Sequence, residues 1–299
     1  GLVGSEMCIR DSIKGGHTSG RACDWWEAAE ADFDRAAAMG LNALRLSIEW
    51  SRVEPEPGRF DNAALERYRE MLKGLQQRGL EPMVTLHHFS NPLWLEQQGG
   101  WLNQDTRVHF VRYVERVVKA LGDQVTLWCT LNEPNVYAVM GYLYGTFPPG
   151  RREFVATRVG LKALLGAHAE AYRAIHRLQP NARVGLAHNL RFFDSANPHS
   201  FLDRLVAKIL DRGFNRSVLD AVWKGRWVLP IGFGPAWSLR HTLDWIGLNY
   251  YTRDLVAFDS GAKEALFSRT LHATDAELLD GGSRALSPEG LRGAPQRLF

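Results

Sequence analysis

Thr130-Leu131-Asn132-Glu133-Pro134-Asn135 follows the short apolar run Val125-Thr126-Leu127-Trp128-Cys129. The run holds β-branched and aromatic residues and neither Gly nor Pro, so it reads as a buried strand. Such a strand delivers Asn132 and Glu133 at its C-terminal end, and Pro134 then withholds a further ladder donor. A lone Glu is ordinarily a solvated loop charge. A carboxylate beside an amide at the end of an apolar strand is instead what a parallel α/β barrel presents at its active face.

Working outward from that strand, helix and strand patterns alternate. Residues 25–39 carry the stripe Trp26, Ala29, Phe33, Ala36 and Ala37, with Gly40 as the stop. Residues 41–48 alternate as a strand carrying Arg45, and Pro57-Gly58 marks a loop. A helix over 62–78 faces Leu65, Tyr68, Leu72 and Leu75 inward, and a strand over 81–88 follows. The next helix has the stripe Phe110, Val114, Val117, Val118 and Leu121 and leads to the strand before Glu133. Downstream come a long helix over 154–178, a strand over 182–190, a helix over 201–210 and a strand over 245–252. Residues 212–239 read as an irregular insertion, 258–283 as a long loop, and Ser287-Pro288-Glu289 opens a final helix. The spacing predicts an α/β fold, a (β/α)8 TIM barrel of which five strands are visible, near Arg45, Thr85, Thr130, Gly185 and Gly247. No repeat of solenoid period is present.

Composition narrows the function classes. The chain has 299 residues, 45% hydrophobic and 23% charged, as in an ordinary globular protein. A net charge of +3, with Lys and Arg spread along the chain, gives no sign of a nucleic-acid partner. No apolar run approaches membrane-spanning length. Cys8, Cys23 and Cys129 form neither a disulfide framework nor a metal signature, and Cys129 reads as a small buried residue. That usage fits the cytoplasm. Residues 1–12 are too short and too charged for a signal peptide and read as a non-native tail, which leaves 13–299 as one partial barrel domain. With the native N-terminus expected to be missing, a secretion signal stays open.

Several blocks occur in order: Ala22-Cys23-Asp24, Leu44-Arg45-Leu46-Ser47-Ile48-Glu49-Trp50-Ser51-Arg52, Pro82-Met83-Val84-Thr85-Leu86-His87-His88-Phe89, Gly99-Gly100-Trp101, the Glu133 hexapeptide, and Asp244-Trp245-Ile246-Gly247-Leu248-Asn249-Tyr250-Tyr251-Thr252. Together they resemble family 1 glycoside hydrolases, the β-glucosidase and β-galactosidase group, from about Gly16 to Phe299. The resemblance implies hydrolysis of β-glycosidic bonds with retention, small-molecule β-glucoside or β-galactoside substrates, and no metal or cofactor. By the family pattern the first strand lies before Gly16 and the seventh and eighth after Phe299, so the barrel is incomplete. Apolar edges left on the strands of Arg45 and Tyr251 would then invite aggregation.

Glycoside hydrolysis usually uses two carboxyl groups, one of which stays protonated to meet the leaving oxygen. The resemblance gives that acid/base role to Glu133. It places the nucleophile in an Ile/Thr-Glu-Asn-Gly motif, which is absent here. Glu264, Glu277 and Glu289 have no strand before them and no Asn-Gly after. Arg45 should support the nucleophile, and alternation turns it away from Leu44 and Leu46. His88 and Asn132 should bond sugar hydroxyls. His87 and His88 point to opposite faces, a poor metal chelate, and His88 alone could also be a core histidine. The family usually has Trp where this chain has Phe89. Asn249 and Tyr251 share a side as substrate-site residues, with Tyr250 on the other side as packing. Trp94, Trp101, Tyr142, Trp223, Trp227 and Trp237 are available either to stack on sugars or to fill a core. The expectation is a fragment of a β-glycosidase that is itself inactive. Two alternatives stand beside it: a non-catalytic carbohydrate-binding pseudoenzyme, and an unrelated metabolic barrel enzyme with phosphate-binding glycines.

Overall fold

The strands are β1 (Ala43–Ser47), β2 (Glu81–Thr85), β3 (Leu127–Asn132), β4 (Arg183–Ser195), the short β5 (Arg226–Trp227) and β6 (Gly234–Pro235), β7 (Trp245–Phe258) and β8 (Ser268–Leu271). The computed structural model describes residues 23–271 and the backbone at 278–279 and 284–285. The expected tail at 1–12, the first strand before Gly16, Glu277, and the final helix with Glu289 lie outside the described residues. β1, β2, β3, β4 and β7 pair side by side in parallel, in chain order, and β8 closes the sheet antiparallel to β7. These five parallel strands are the five legible in the sequence.

Helices separate the parallel strands as the apolar stripes require. Asn62–Gln77 starts where the Asp61 carboxylate accepts from the Ala64 amide at 3.0 Å, which satisfies one of the free donors of its first turn. It buries Leu65, Tyr68, Met71, Leu72 and Leu75, and Thr106–Leu121 buries Phe110, Tyr113, Val114, Val117, Val118 and Leu121. Phe154–Leu178 spans the connection from β3 to β4. These faces meet the sheet in one continuous core that also holds Trp50, Trp101 and Trp128. Each such side chain contributes about 1.5–3 kcal/mol through burial, so the core holds the strand ends in fixed relation.

The structure corrects three expectations. Residues 212–239 are not all irregular: wide helical turns at Arg212–Arg216 and Asp220–Lys224 prolong the helix Phe201–Asp211, until Gly225 ends them at φ 64°. Gly213 and the charged residues around it hide that helix from a periodicity reading. β4 and β7 run on to Ser195 and Phe258, past the expected ends at 190 and 252. Their outer halves carry Arg191, Asp194, Arg253 and Asp254, which mask the strand signal, while the ladder continues from Phe192↔Arg253 to Ser195↔Val256. Finally, part of the expected loop after Phe258 is β8, which pairs with Leu255–Phe258 and covers that part of the β7 edge. Glu264 falls in the single turn Lys263–Ala265.

Candidate active site

Glu133 stands where β3 stops. Its backbone is left-handed, φ 47° and ψ 60°, a conformation that costs a residue with a Cβ about 1–2 kcal/mol. Pro134 opens the short helix Pro134–Ala138 immediately after it. The turn is held because the Glu133 amide donates to the Ala187 carbonyl at 2.7 Å and its carbonyl accepts from Tyr137 at 3.0 Å. The β3–β4 register also slips between Cys129 and Asn132. These two irregularities turn the adjacent Asn132 and Glu133 side chains toward one cavity. Asn135 ties the turn down further, donating to the carbonyls of Asn189 at 2.8 Å and Phe214 at 3.3 Å.

That cavity has a volume of about 370 Å³, and Arg45, His88, Asn132, Glu133, Asn249 and Tyr251 all line it. Arg45 comes from β1, His88 from just past β2, Asn132 and Glu133 from the end of β3, and Asn249 and Tyr251 from the middle of β7. It also takes in Asn189 and Arg191 from β4, with Phe89, Phe147 and Phe214 as apolar wall. The sequence reading named neither Asn189 nor Arg191. The available signal was Asn189 near the end of a barrel strand, a position that faces substrate in this architecture.

A hydrogen-bond chain orders the polar groups. Arg45 donates through Nε to Thr85 Oγ1 at 2.8 Å and through Nη2 to Asn132 Oδ1 at 2.7 Å. Guanidinium has no acceptor, so the Asn132 oxygen must face Arg45. Asn249 Nδ2 donates to that same oxygen at 3.3 Å and to Glu133 Oε1 at 2.7 Å, and Asn189 Nδ2 donates to Glu133 Oε1 at 3.1 Å. With Oδ1 doubly engaged, Asn132 keeps its amide N–H donors for a ligand. With Oε1 doubly engaged, Glu133 keeps Oε2. Among the described residues Glu133 is the one carboxylate lining the cavity, and Arg45 pairs with no carboxylate.

His87 and His88 face opposite ways. His87 is buried edge-on to Trp101 and Tyr137, with Nε2 against Asn91 Oδ1 at 2.9 Å, and burial lowers its pKa to about 4. His88 reaches solvent through the cavity, with Nδ1 against Ser47 Oγ at 3.1 Å. The surrounding protein first, and Arg45 second, lower its pKa, so neutral imidazole is favoured. Tyr250 packs its ring on Phe192 at 5.4 Å, away from Tyr251. Trp94, Trp101 and Tyr142 belong to the core, and Trp223, Trp227 and Trp237 are not in the cavity wall. Phe89, also at positive φ, occupies the wall. Among the described residues no cluster of metal-binding side chains occurs, and no helix is long and apolar enough to cross a membrane.

A cavity ringed by amides, two arginines, a histidine and one carboxyl group is suited to polyhydroxylated ligands and to proton transfer at a single point. Comparison with known proteins gives the same direction. A sequence profile described as glycosyl hydrolase family 1 matches residues 6–292, beginning inside the stretch read as a tail. Beta-glucosidase A of Thermotoga maritima is 31% identical over 277 residues, which are 88% of this chain and 62% of that protein. A solved β-glycosidase from Pyrococcus horikoshii is similar with a TM-score of 0.82 at 35% identity, over 92% of this chain and 63% of that one. The T. maritima β-glucosidase solved in complex with glucoimidazole aligns at a TM-score of 0.90 and 27% identity, over 99% of this chain and 68% of that one. The chain spans 48–65% of the length of the curated relatives it matches.

Proposed function

The chain belongs to glycosyl hydrolase family 1, its open sheet matching part of that family's barrel, and from this premise we propose that it carries the acid/base half of a retaining β-glycosidase site for β-glucosides or β-galactosides. The observation that carries the reading is the pair of amide donors, from Asn249 and Asn189, on one oxygen of Glu133. An oxygen accepting two N–H groups is the carbonyl-like one, so the acidic proton sits on Oε2. That oxygen meets the glycosidic oxygen and later, as base, a water molecule. Asn132 and His88 bind sugar hydroxyls beside it. Tyr251 and Arg45 steady the nucleophile, and the positive charge of Arg45 favours a carboxylate there.

Retention needs a second carboxyl about 5–5.5 Å from the first. Glu133 is alone in the cavity among the described residues, so in this reading the nucleophile comes from the missing seventh strand, the first and eighth being missing as well. General acid help by itself is worth about 10²–10⁴-fold, too little for glycoside cleavage. The 299-residue chain is therefore inactive by itself, which is also what a carbohydrate-binding pseudoenzyme would show.

The test is Glu133→Ala in a chain extended to the length of its relatives. Turnover of alkyl glycosides should collapse while nitrophenyl glycosides, which need little protonation, keep more rate and are rescued by azide. Equal losses on both, with no azide effect, would sink the acid/base role. An extended chain that binds β-glucosides without hydrolysing them would favour the pseudoenzyme.

A further inference from the structure

Arg191, Met140 and Phe214 each line two cavities, the one holding Glu133 and a smaller neighbour of about 70 Å³. On the side of the smaller cavity Arg191 Nε meets a carboxylate oxygen of Asp254 at 3.2 Å, and Asp254 is almost wholly buried. The backbone of Arg191 is pinned as well. Asn215 accepts from its amide at 3.3 Å and donates to its carbonyl at 2.7 Å. The β4–β7 register changes here, from Leu190↔Tyr250 to Phe192↔Arg253, so Tyr251 and Thr252 together oppose Arg191. Such a bulge re-aims the side chains beside it. Among the described residues the two Nη groups of Arg191 donate to no protein acceptor. One edge of the guanidinium is thus anchored, and the other is left as a fixed fork of the kind that matches a carboxylate.

Its place along the strand says which part of a ligand it meets. The Glu133 amide is level with Ala187, and Asn189 reaches the Glu133 carboxyl. Arg191 follows two residues on, roughly 7 Å further along β4 toward its C-terminal end. If Glu133 protonates the glycosidic oxygen, the leaving group extends along that path. The span is close to that from the ether oxygen to the carboxylate of a para-carboxyphenyl group. Met140, Phe147 and Phe214 supply apolar surface for the ring on the way. We propose that Arg191 forms an anion subsite on the leaving-group side, selecting aryl β-glycosides whose aglycone bears a carboxylate. The proposal rests on the acid/base reading of Glu133. Asp254 does not cancel the subsite, because it engages Nε while the direct N–H···O contacts form at the Nη edge.

The experiment measures binding, so it needs no nucleophile. The 299-residue chain is titrated with phenyl, 4-carbamoylphenyl and 4-carboxyphenyl β-D-glucoside at low and high salt. The carboxylate should bind roughly tenfold tighter than either neutral ligand at low salt, with the advantage shrinking in salt. In Arg191→Met the ratio of carboxyphenyl to phenyl affinity should fall to about one. The double variant Arg191→Met/Asp254→Asn should give the same ratio, and it also removes the buried charge that faces Arg191. Equal binding of the carbamoyl and carboxyl ligands, or an unchanged ratio in either variant, would overturn the subsite. Failure of all three ligands to bind, with the fold intact, would remove the glycoside reading and this inference with it.

Discussion

The amide of Asn249 and the carboxyl of Glu133 meet at 2.7 Å across 116 residues of chain, and the same amide touches Asn132 at 3.3 Å. One side chain on β7 therefore helps set the orientation of both Asn132 and Glu133 at the end of β3. Without it Oε1 keeps only the longer bond from Asn189, and the carboxyl gains freedom to rotate away from the cavity.

Asn249→Ala in a length-completed enzyme should therefore lower kcat/KM by about 1.5–3 kcal/mol, the cost of a hydrogen bond to a charged or proton-transferring group. The loss should be larger for alkyl than for nitrophenyl leaving groups. Steady-state kinetics on the two substrate types checks this, and a uniform loss would place Asn249 in binding only.

How much of this site was legible depends on which residues sit in regular strand context. Glu133 was marked by the apolar strand before it and Pro134 after it. Arg45, Asn249 and Tyr251 were placed by alternation, and each lies on the cavity side. Asn189 stood inside the expected strand, with no motif to mark it. Arg191 was hidden because β4 looked finished at Leu190, since polar residues fill the outer halves of β4 and β7. The aromatics divide on grounds a local pattern does not carry. Trp94, Trp101 and Tyr142 are buried, while the cavity wall uses Phe147 and Phe214 from irregular or helical connections.

Arg45→Met should damage more than one partner. Asn132 Oδ1 loses its shortest donor and Thr85 Oγ1 loses its own. The Asn132 amide is then free to flip and present its oxygen to the cavity. Affinity for a β-glucoside should fall by about 2–3 kcal/mol, read by calorimetric titration. Arg45→Lys should recover little, because one ammonium cannot replace a fork that spans Thr85 and Asn132. Full recovery by Lys would show that charge alone matters at this position.

Two glycines of the helix Phe154–Leu178 should respond in opposite directions. A Cβ on Gly160 would lie 2.7 Å from the ring of Tyr142, which is buried and has nowhere to move. Gly160→Ala should cost about 1–3 kcal/mol by overpacking. A Cβ on Gly166 meets the guanidinium of Arg107 at 3.1 Å, the flexible end of an exposed side chain. Gly166→Ala should gain about 0.5–1 kcal/mol through helix propensity. Urea melts of both variants decide it, and a stabilised Gly160→Ala would show that the Tyr142 ring yields.

Stability should fall as the solution is acidified from pH 6.5 toward 4, before most carboxylates are fully protonated. His87, His168 and His188 are each buried with pKa lowered from 6.5 to about 4, burial being the main cause in all three. The sign follows from proton counting. Between those two values the unfolded chain takes up protons that the native chain refuses, so unfolding gains on falling pH and native stability rises with pH across the window. Below the native value both states are protonated and these groups add no further slope. His168 is the cleanest probe, since its Nδ1 contacts Thr130 Oγ1 at 2.6 Å inside the core and it takes no part in the cavity. His168→Gln cannot titrate, so its urea midpoint should vary less between pH 7 and pH 4.5 than that of the parent chain. Identical slopes for the two would mean that His168 takes up its proton at the same pH in the native and unfolded chains and that the lost stability comes from elsewhere.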